Sequence, residues 1–238
     1  MKRNGTTKKS MKDTHWLFGQ AATRFMGSGA KLVLMASCLS LTPAIFAGER
    51  QTLFYGTNLS GWEGNTNVWR VQEGAIVGGS MEGNTHNEFL SSLRTYTNFV
   101  LRLEYRLVGT SGFINSGVQF HSVRLEQPPY EMRGFQADIG AGHSGSLYDE
   151  SRRNKFMKHA DAALIKALEK PGEWNRYEVR CSGPHIQIWL NGTQTADHTE
   201  TEPSIPLNGL IALQIHGGCK AVVSFRNITI EELNNEKK

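Results

Sequence analysis

The sequence has few cysteines and lacks the short motifs that mark several common enzyme classes. It contains three cysteines in 238 residues, Cys38, Cys181 and Cys219, and their spacing does not fit a zinc site. There is no nucleophile elbow of the type Gly-x-Ser-x-Gly and no phosphate-binding loop. Hydrolases built on that elbow and kinases built on that loop are therefore excluded.

A long hydrophobic run is also missing. The longest apolar stretch, Leu32–Ala47, is short and interrupted by polar residues, so it does not predict an integral membrane protein. It follows a basic segment and ends in a small residue, which is typical of a secretory signal peptide. We predict that residues 1–47 form this leader, that cleavage occurs near Ala47, and that the mature protein is periplasmic or extracellular. Cys38 weakly resembles a lipoprotein acylation site, so a lipid anchor is the minor alternative.

The positive net charge of the whole chain comes from the predicted leader. The chain carries a formal charge of +4, with 26 basic and 22 acidic residues. Seven of the basic residues and one of the acidic residues lie in residues 1–47, so residues 48–238 have a net charge of about −2. This balance predicts no nucleic-acid partner. Cys181 and Cys219 remain after cleavage, either as one disulfide or as two free buried thiols.

Short segments with apolar residues at alternate positions follow one another from Phe54 onward, separated by Gly, Asn and Pro. Such a series of strands predicts an all-β sandwich or jelly roll in which two sheets close over one core. Because no linker or repeat interrupts it, we interpret residues 48–238 as a single domain. The predicted strands cover residues 67–77, 99–106, 117–121, 134–139, 176–181, 185–190, 210–216 and 221–230.

One segment breaks the alternation. Apolar residues from Phe156 to Leu168 recur at helical spacing, and Pro171 and Gly172 follow. The sequence therefore predicts one short helix, over about residues 156–169, on a long connection between strands.

Three of the predicted strands carry polar residues at alternate positions. Each pairs an amide with an ionisable group two residues later: Gln136 with Asp138, Gln214 with His216, and Gln119 with His121. The period of two places both members of a pair on one face of their strand. If the strands are neighbours, one face of the sheet gathers groups that suit sugar hydroxyls and could supply a general base. A solvated outer face would show the same pattern.

Several longer motifs occur in a fixed order along the chain. They are Asn115-Ser-Gly-Val118, Gly134-Phe-Gln-Ala-Asp-Ile-Gly140, Gly145-Ser-Leu-Tyr-Asp-Glu-Ser-Arg-Arg153, Trp189-Leu-Asn-Gly192, Leu213-Gln-Ile-His-Gly217 and Phe225-Arg-Asn-Ile228. Together they resemble the signature of the 3-keto-disaccharide hydrolase domain, over about residues 53–233. The resemblance implies a concanavalin-like jelly roll that acts on 3-keto-glycosides, by hydrolysis or by elimination followed by hydration. Many relatives carry Tyr-Glu-Val-Gln where this chain has Phe135-Gln-Ala-Asp138, so the acid and the amide have exchanged places.

The chemistry that the resemblance implies needs a base. A 3-keto group acidifies the proton on C2, and removal of that proton requires a base, a group that stabilises the enolate and an acid for the leaving oxygen. We expect His216 or Asp138 to be the base. An imidazole ordinarily titrates near neutrality, whereas Asp138 needs burial or a neighbouring charge to raise its pKa. An arginine such as Arg152 could stabilise the enolate. The predicted substrate-binding residues are Gln136, Gln214, Asn115, Gln119, His121, Arg152, Tyr148 and Glu150.

Simpler interpretations stand beside these roles. Asp149, Glu150, Arg152 and Arg153 could form only an ion-pair network that orders a loop. No cofactor is required by the proposed chemistry, and a divalent cation could bind Asp138, Asp149, Glu150 and His216, although no spacing identifies one.

Two other functions remain open for a chain of this kind. A non-catalytic carbohydrate-binding module of the cell envelope could use amides and aromatic side chains alone, with no need for Asp138 and His216 on one face. A structural envelope domain would respond to no sugar. Our prediction is the enzyme, with a glycoside or oligosaccharide as its substrate.

Overall fold

The computed structural model describes residues 46–234, which fold into two antiparallel sheets and one helix. The strands are β1 (Phe46–Thr52), β2 (Trp62–Glu63), β3 (Trp69–Gln72), β4 (Ala75–Asn84), β5 (Glu88–Tyr96), β6 (Phe99–Gly112), β7 (Asn115–Arg124), β8 (Met132–Gly140), β9 (Leu147–Glu150), β10 (Lys155–Lys158), β11 (Asn175–Ser182), β12 (His185–Leu190), β13 (Thr193–Thr199), β14 (Gly209–Ile215) and β15 (Cys219–Asn234). The helix, α1, is Ala162–Leu168 and lies between β10 and β11. The predicted all-β, two-sheet jelly roll with one helix is confirmed.

The two sheets have different strand orders. The eight-stranded sheet runs β13–β12–β11–β6–β15–β4–β3, with β1 paired to β15. The seven-stranded sheet runs β10–β9–β8–β7–β14–β5–β2. Several neighbours in these orders are far apart in sequence, for example β7 with β14 and β6 with β15. Chain connections therefore cross between the sheets, as a jelly roll requires.

The core lies between the sheets and follows the predicted alternation. Each strand turns every second side chain inward, so a strand with apolar residues at those positions buries them against the opposite sheet. On β6, Phe99 and Leu101 are buried while Arg102 is partly exposed. The predicted inward-facing residues of three strands of the other sheet are fully buried: Val118, Phe120, Phe135, Ala137, Leu213 and Ile215.

Asn191 and Gly192 form the turn of the hairpin between β12 and β13. Both residues have positive φ, 51° and 88°. That conformation produces the tight turn that matches the twist of paired strands, and asparagine and glycine adopt it at low cost.

The helix is shorter than predicted, and its predicted start is wrong. Asp161 caps α1, because its side chain accepts a hydrogen bond from the backbone N–H of Leu164 at 2.8 Å. Phe156 lies in β10 instead, where it pairs with Tyr148 of β9. Its spacing from the apolar residues of α1 matched a helical period by coincidence. Similarly, residues 67–77 are not one strand, because a turn separates β3 from β4.

Cys181 and Cys219 are both unbonded and buried. This corresponds to the second alternative drawn from the sequence. Burial raises the pKa of the Cys181 thiol, which therefore stays protonated.

The predicted leader and Cys38 lie outside the described residues, apart from Phe46 and Ala47 at the start of β1. Cleavage after Ala47 would leave the part of β1 from Arg50 to Thr52, which pairs with β15. Export therefore stays a prediction. Within residues 46–234, no helix is long and apolar enough to cross a membrane.

Candidate active site

A pocket of about 180 Å³ opens on the outer face of the seven-stranded sheet. Its lining comes from β7, β8, β9 and the residue after β14, which the fold brings side by side. The predicted residues that line it are Asn115, Gln136, Asp138, Tyr148, Glu150 and His216. Both predicted catalytic residues are therefore in one pocket, together with four of the predicted substrate-binding residues.

A glycine makes the floor of this pocket possible. Gly117 on β7 is the strand partner of Asp138 on β8 and of Gln214 on β14. A Cβ at Gly117 would lie 2.5 Å from Cδ of Gln136, which is too close for any side chain. The Gln136 amide therefore lies over β7, in the space that a larger residue would fill.

Asp138 is in an environment that raises its pKa, as a carboxylate that acts as a base near neutral pH requires. It is 4% exposed and accepts a 2.8 Å hydrogen bond from Nε2 of Gln136 at its Oδ1. Burial raises its pKa to about 7, the negative charge of Glu150 adds to this effect, and hydrogen bonds from Gln136 and Asn115 oppose it. A carboxylate with this pKa can accept a proton near neutrality.

Glu150 also has a carboxyl group with a raised pKa. Burial raises its pKa to about 7, the charge of Glu131 adds to this effect, and Nε2 of Gln214 lies 3.4 Å from its Oε2 as a donor. The charge of Glu150 contributes to the raised pKa of Asp138, so ionisation of Glu150 disfavours ionisation of Asp138. Because both pKa values lie near 7, each group is present in ionised and in protonated form at neutral pH.

These raised pKa values predict an unusual dependence of stability on pH. Between about pH 4 and pH 7 the folded protein binds more protons at Asp138 than the unfolded chain, so the free energy of unfolding falls as the pH rises through this window. Asp138→Asn should remove part of that fall and be more stable than the wild type above pH 7, by about 2–4 kcal/mol. Urea denaturation from pH 4 to pH 9 measures the free energy of unfolding of the wild type and of the variant.

The matched control for this titration is Asp197→Asn, because Asp197 is exposed and its pKa is lowered by hydrogen bonds from His185 and Gln187. That variant should keep the wild-type fall in stability between pH 4 and pH 7. Parallel curves for the wild type and Asp138→Asn would show that Asp138 ionises normally in the folded protein.

His216 follows the end of β14 and is held beside Asn115. Its backbone N–H donates to the Asn115 carbonyl at 3.2 Å, and its Nδ1 lies 2.7 Å from the Gly217 carbonyl oxygen. A carbonyl only accepts, so Nδ1 carries the hydrogen and Nε2 is left with the lone pair in the neutral ring. The ring edge packs against Phe113, with 4.8 Å between ring centroids.

Two of the predicted amide residues, Gln119 and Gln214, contact residues that line the pocket. Gln119 on β7 is fully buried, and its Nε2 donates to Oε1 of Gln136 at 3.4 Å. Gln214 reaches Glu150, as described above. These contacts hold Gln136 and Glu150 in place, so Gln119 and Gln214 support residues of the pocket.

The structure places His121 elsewhere, and its predicted position is wrong. The pairing of β7 with β8 shifts between Phe120 and Val123, and His121 adopts a positive φ of 48°. This bulge reverses the alternation, so the His121 ring packs against Phe99 of the opposite sheet at 5.7 Å between centroids. Its Nε2 hydrogen bonds the Thr97 carbonyl at 2.9 Å, and burial lowers its pKa to about 4.

Arg152 is also separated from the pocket. On β9, Asp149 is fully buried and turns inward while Glu150 turns outward, and Arg152 binds Asp149 at 2.8 Å. Its guanidinium lies 4.6 Å from the ring centroid of Phe135, which faces the core. Arg152 therefore cannot reach an enolate in the pocket, which corrects that expectation.

The ion-pair network that the sequence offered as a simpler interpretation is present, but Glu150 is not part of it. Asp149 binds both Arg152 and Arg153, and Arg153 also binds Glu200 at 2.6 Å. The four residues considered as cation ligands do not lie together, because Asp149 lies on the other face of the sheet from the pocket. Within residues 46–234 no group of three or more His, Cys, Asp or Glu side chains is placed to hold a metal ion. A divalent cation stays a prediction.

Three aromatic residues of the pocket had no predicted role: Phe113, His143 and Phe156. The His143 ring lies 4.8 Å from Phe156 and 6.4 Å from Phe113 between centroids, so they form one wall of the pocket. His143 belongs to the turn Gly140–Gly145, whose glycine spacing matches a dinucleotide loop but leads into a strand rather than a helix. A turn has no alternation, so the sequence offered no signal for His143.

Residues 49–231 match the family described as the 3-keto-alpha-glucoside-1,2-lyase-like domain. The chain belongs to this family. The match covers the strands that build the pocket as well as both sheets of the core. The resemblance inferred from the motifs is thereby confirmed. No curated protein sequence matches the chain.

Solved structures show the same fold. Two candidate glycosyl hydrolases of Parabacteroides distasonis are 22% and 26% identical to this chain, with TM-scores of 0.59 and 0.57. Each match covers 78% of this chain, and 94% and 100% of the other. The carbohydrate-binding module CBM66 of Bacillus subtilis is 15% identical with a TM-score of 0.56, over 72% of this chain and 96% of the module. The chain therefore has a glycosyl hydrolase-like or carbohydrate-binding fold.

Proposed function

We propose that this chain is an exported enzyme that cleaves 3-keto-glycosides by removing the C2 proton and eliminating the C1 substituent, followed by hydration. The observation that carries the proposal is that the buried Asp138 and the partly buried Glu150 line one pocket, with pKa values that are both raised to about 7. Elimination needs a base and an acid at the same pH, and two carboxyl groups with pKa values near 7 can supply both.

Asp138 and Glu150 together account for the proton transfers of the reaction. The Asp138 carboxylate takes the C2 proton, and the electron pair of the C–H bond forms the enolate with its charge on the 3-oxygen. The enolate then returns its electrons, the C1–O bond breaks, a C1=C2 double bond forms, and protonated Glu150 gives its proton to the leaving oxygen. Water next adds its hydroxyl to C1 and gives its other proton to the Glu150 carboxylate, while Asp138 delivers its solvent-exchangeable proton to C2. Both groups thereby return to their starting forms, and the net reaction is hydrolysis to the 3-keto sugar and an alcohol.

The enolate requires a donor other than Arg152. Tyr148 lines the pocket, and burial with the nearby charges of Glu150 and Asp138 raises the pKa of its phenol. It therefore keeps its hydrogen at neutral pH and can donate to the 3-oxygen. Asn115 adds an amide donor in the same pocket. His216, with Nε2 free, is the alternative base.

The shape of the pocket suits a single sugar ring. Its volume of about 180 Å³ is close to that of one hexose, and the aromatic wall of Phe113, His143 and Phe156 offers an apolar surface to the C–H face of the ring. The aglycone would then extend out of the pocket.

The proposal predicts strict dependence on the keto group. Purified protein should release the aglycone from a 3-keto-glucoside and not from the corresponding unoxidised glucoside, because only the keto form has an acidified C2 proton. Parallel assays that measure aglycone release test this. Equal cleavage of both substrates would contradict the elimination and point to ordinary glycoside hydrolysis.

The second candidate is a carbohydrate-binding module. The likeness to CBM66 supports it only at the level of the fold. Binding of a sugar without turnover, unaffected by Asp138→Asn or Glu150→Gln, would favour this function over the enzyme.

A further inference from the structure

The outer face of the eight-stranded sheet carries a second set of aligned polar side chains, far from the pocket on the other sheet. One row crosses four strands through the paired residues Thr229, Arg102, Glu178 and Trp189. The alternation of β6 and β11 turns these side chains away from the core, because Leu101, Leu103 and Val179 face inward and are buried. We call this surface the arginine face.

Arginines are abundant on this face and only some of them have acidic partners. Arg102 binds Glu178 at 2.7 Å, and Arg226 binds Glu104 at 2.6 Å. Among the described residues, four others on the face have no carboxylate within 4.0 Å: Arg70, Arg106, Arg176 and Arg180. The face is therefore positive, although residues 48–238 as a whole have a net charge of about −2.

An aromatic ring holds two arginines of this face, the unpaired Arg106 and Arg226, which also binds Glu104. The guanidinium groups of Arg226 and Arg106 lie 4.0 and 5.0 Å from the ring centroid of Trp174. Such contacts restrict long side chains without neutralising them, so less conformational entropy is lost when an anion binds.

A groove of about 610 Å³ runs along the face and is larger than the reaction pocket. Arg50, Arg102, Arg176 and Trp189 line it, together with Glu104 and Glu178, which are bound to Arg226 and Arg102. Trp189 is partly exposed and stands at the end of the four-strand row. Three strand spacings of about 4.8 Å make this row about 14 Å long, enough for two to three sugar rings in a chain.

We propose that the arginine face binds a linear polysaccharide that carries carboxylate groups, at a site separate from the reaction pocket. The indole of Trp189 stacks on the apolar face of one sugar ring, and Arg176 pairs with the carboxylate of a neighbouring ring. A neutral polysaccharide would leave the unpaired arginines without partners. The site would hold the protein on an acidic polymer while the other sheet acts on small glycosides, and it does not depend on the reaction proposed above.

Binding of a tetragalacturonate to the full chain tests this directly, with maltotetraose as the neutral control, by isothermal titration calorimetry. We expect binding of the acidic oligomer, little binding of the neutral one, and weaker binding as the salt concentration rises. Arg176→Gln and Trp189→Ala should each weaken binding about tenfold or more. Arg133→Gln, a change of an exposed arginine on the other sheet, should have no effect.

Three outcomes would overturn the proposal. One is the absence of binding to the acidic oligomer, and another is equal binding of maltotetraose. The third is equal binding of single-stranded DNA or of anionic lipid vesicles, lost in the same variants, which would show a general attraction for polyanions. Because Trp189→Ala could disturb packing, the folded state of each variant is checked by its thermal transition. Arg176→Gln, which changes an exposed side chain, decides the result if Trp189→Ala unfolds.

Discussion

Asp138→Asn is expected to lower kcat for a 3-keto-glucoside by about 100-fold or more, because it removes the base while keeping the size and polarity of the side chain. Asparagine can still accept a hydrogen bond from Gln136, so the pocket should keep its shape. KM should change little, since the lost interaction belongs to the transition state. Steady-state assays of the wild type and the variant measure this, with Asp197→Asn as a remote carboxylate control.

The pH profile separates the roles of the pocket residues. If Asp138 and Glu150 act as base and acid, kcat/KM should be bell-shaped with its maximum near pH 7, because activity needs one group ionised and the other protonated. Glu150→Gln should abolish the alkaline limb, and it should lower the rate most for substrates with poor leaving groups. Full activity of Asp138→Asn together with a large loss in His216→Gln would assign the base to His216 instead.

Asp149→Asn should act on stability rather than on the chemical step. Asp149 is fully buried and bound to Arg152 and Arg153, so removal of its charge leaves two arginines without their shared partner. We expect a loss of about 3 kcal/mol in the free energy of unfolding, measured by urea denaturation. In protein that is still folded, kcat should stay within a few-fold of the wild type.

The adjacent residue gives the matched comparison. Glu150→Gln changes the next position on β9 but acts on the opposite face, so it should lower kcat strongly and leave the protein folded. The two carboxylates are neighbours in sequence, and the alternation of β9 places them on opposite faces of the sheet. Similar effects of both changes on kcat and on stability would show that β9 does not separate its two faces as the structure has it.

The sequence was sufficient to predict those parts of the site that depend on regular alternation. Gln136 and Asp138 on β8 lie as predicted because the strand is unbroken, and His216 follows β14 in the same way. His121 could not be placed, because the bulge after Phe120 depends on pairing with β8, and a single strand contains no sign of it. The sequence also could not show that Gly117 lies between Asp138 and Gln214, since strand order is a tertiary property.

Other differences arise where local patterns are ambiguous. Phe156 fits a helical period with the residues of α1, yet pairing with Tyr148 makes it part of β10. The motif around Arg152 indicated function, but its position three residues after the buried Asp149 makes it a partner of that carboxylate. His143 reaches the pocket from a turn, where neither helical nor strand periodicity applies.

Isotope exchange shows whether the protein removes the C2 proton of a 3-keto-glycoside. The 3-keto-glucoside is incubated with the wild type and with Asp138→Asn in deuterated water, and the 3-keto sugar and any unreacted substrate are examined for deuterium at C2 by mass spectrometry. We expect deuterium at C2 of the wild-type product, at a level above the uncatalysed exchange of the ketone, and little enzyme-dependent incorporation with the variant. Cleavage by the wild type with no deuterium at C2 above that background would contradict it.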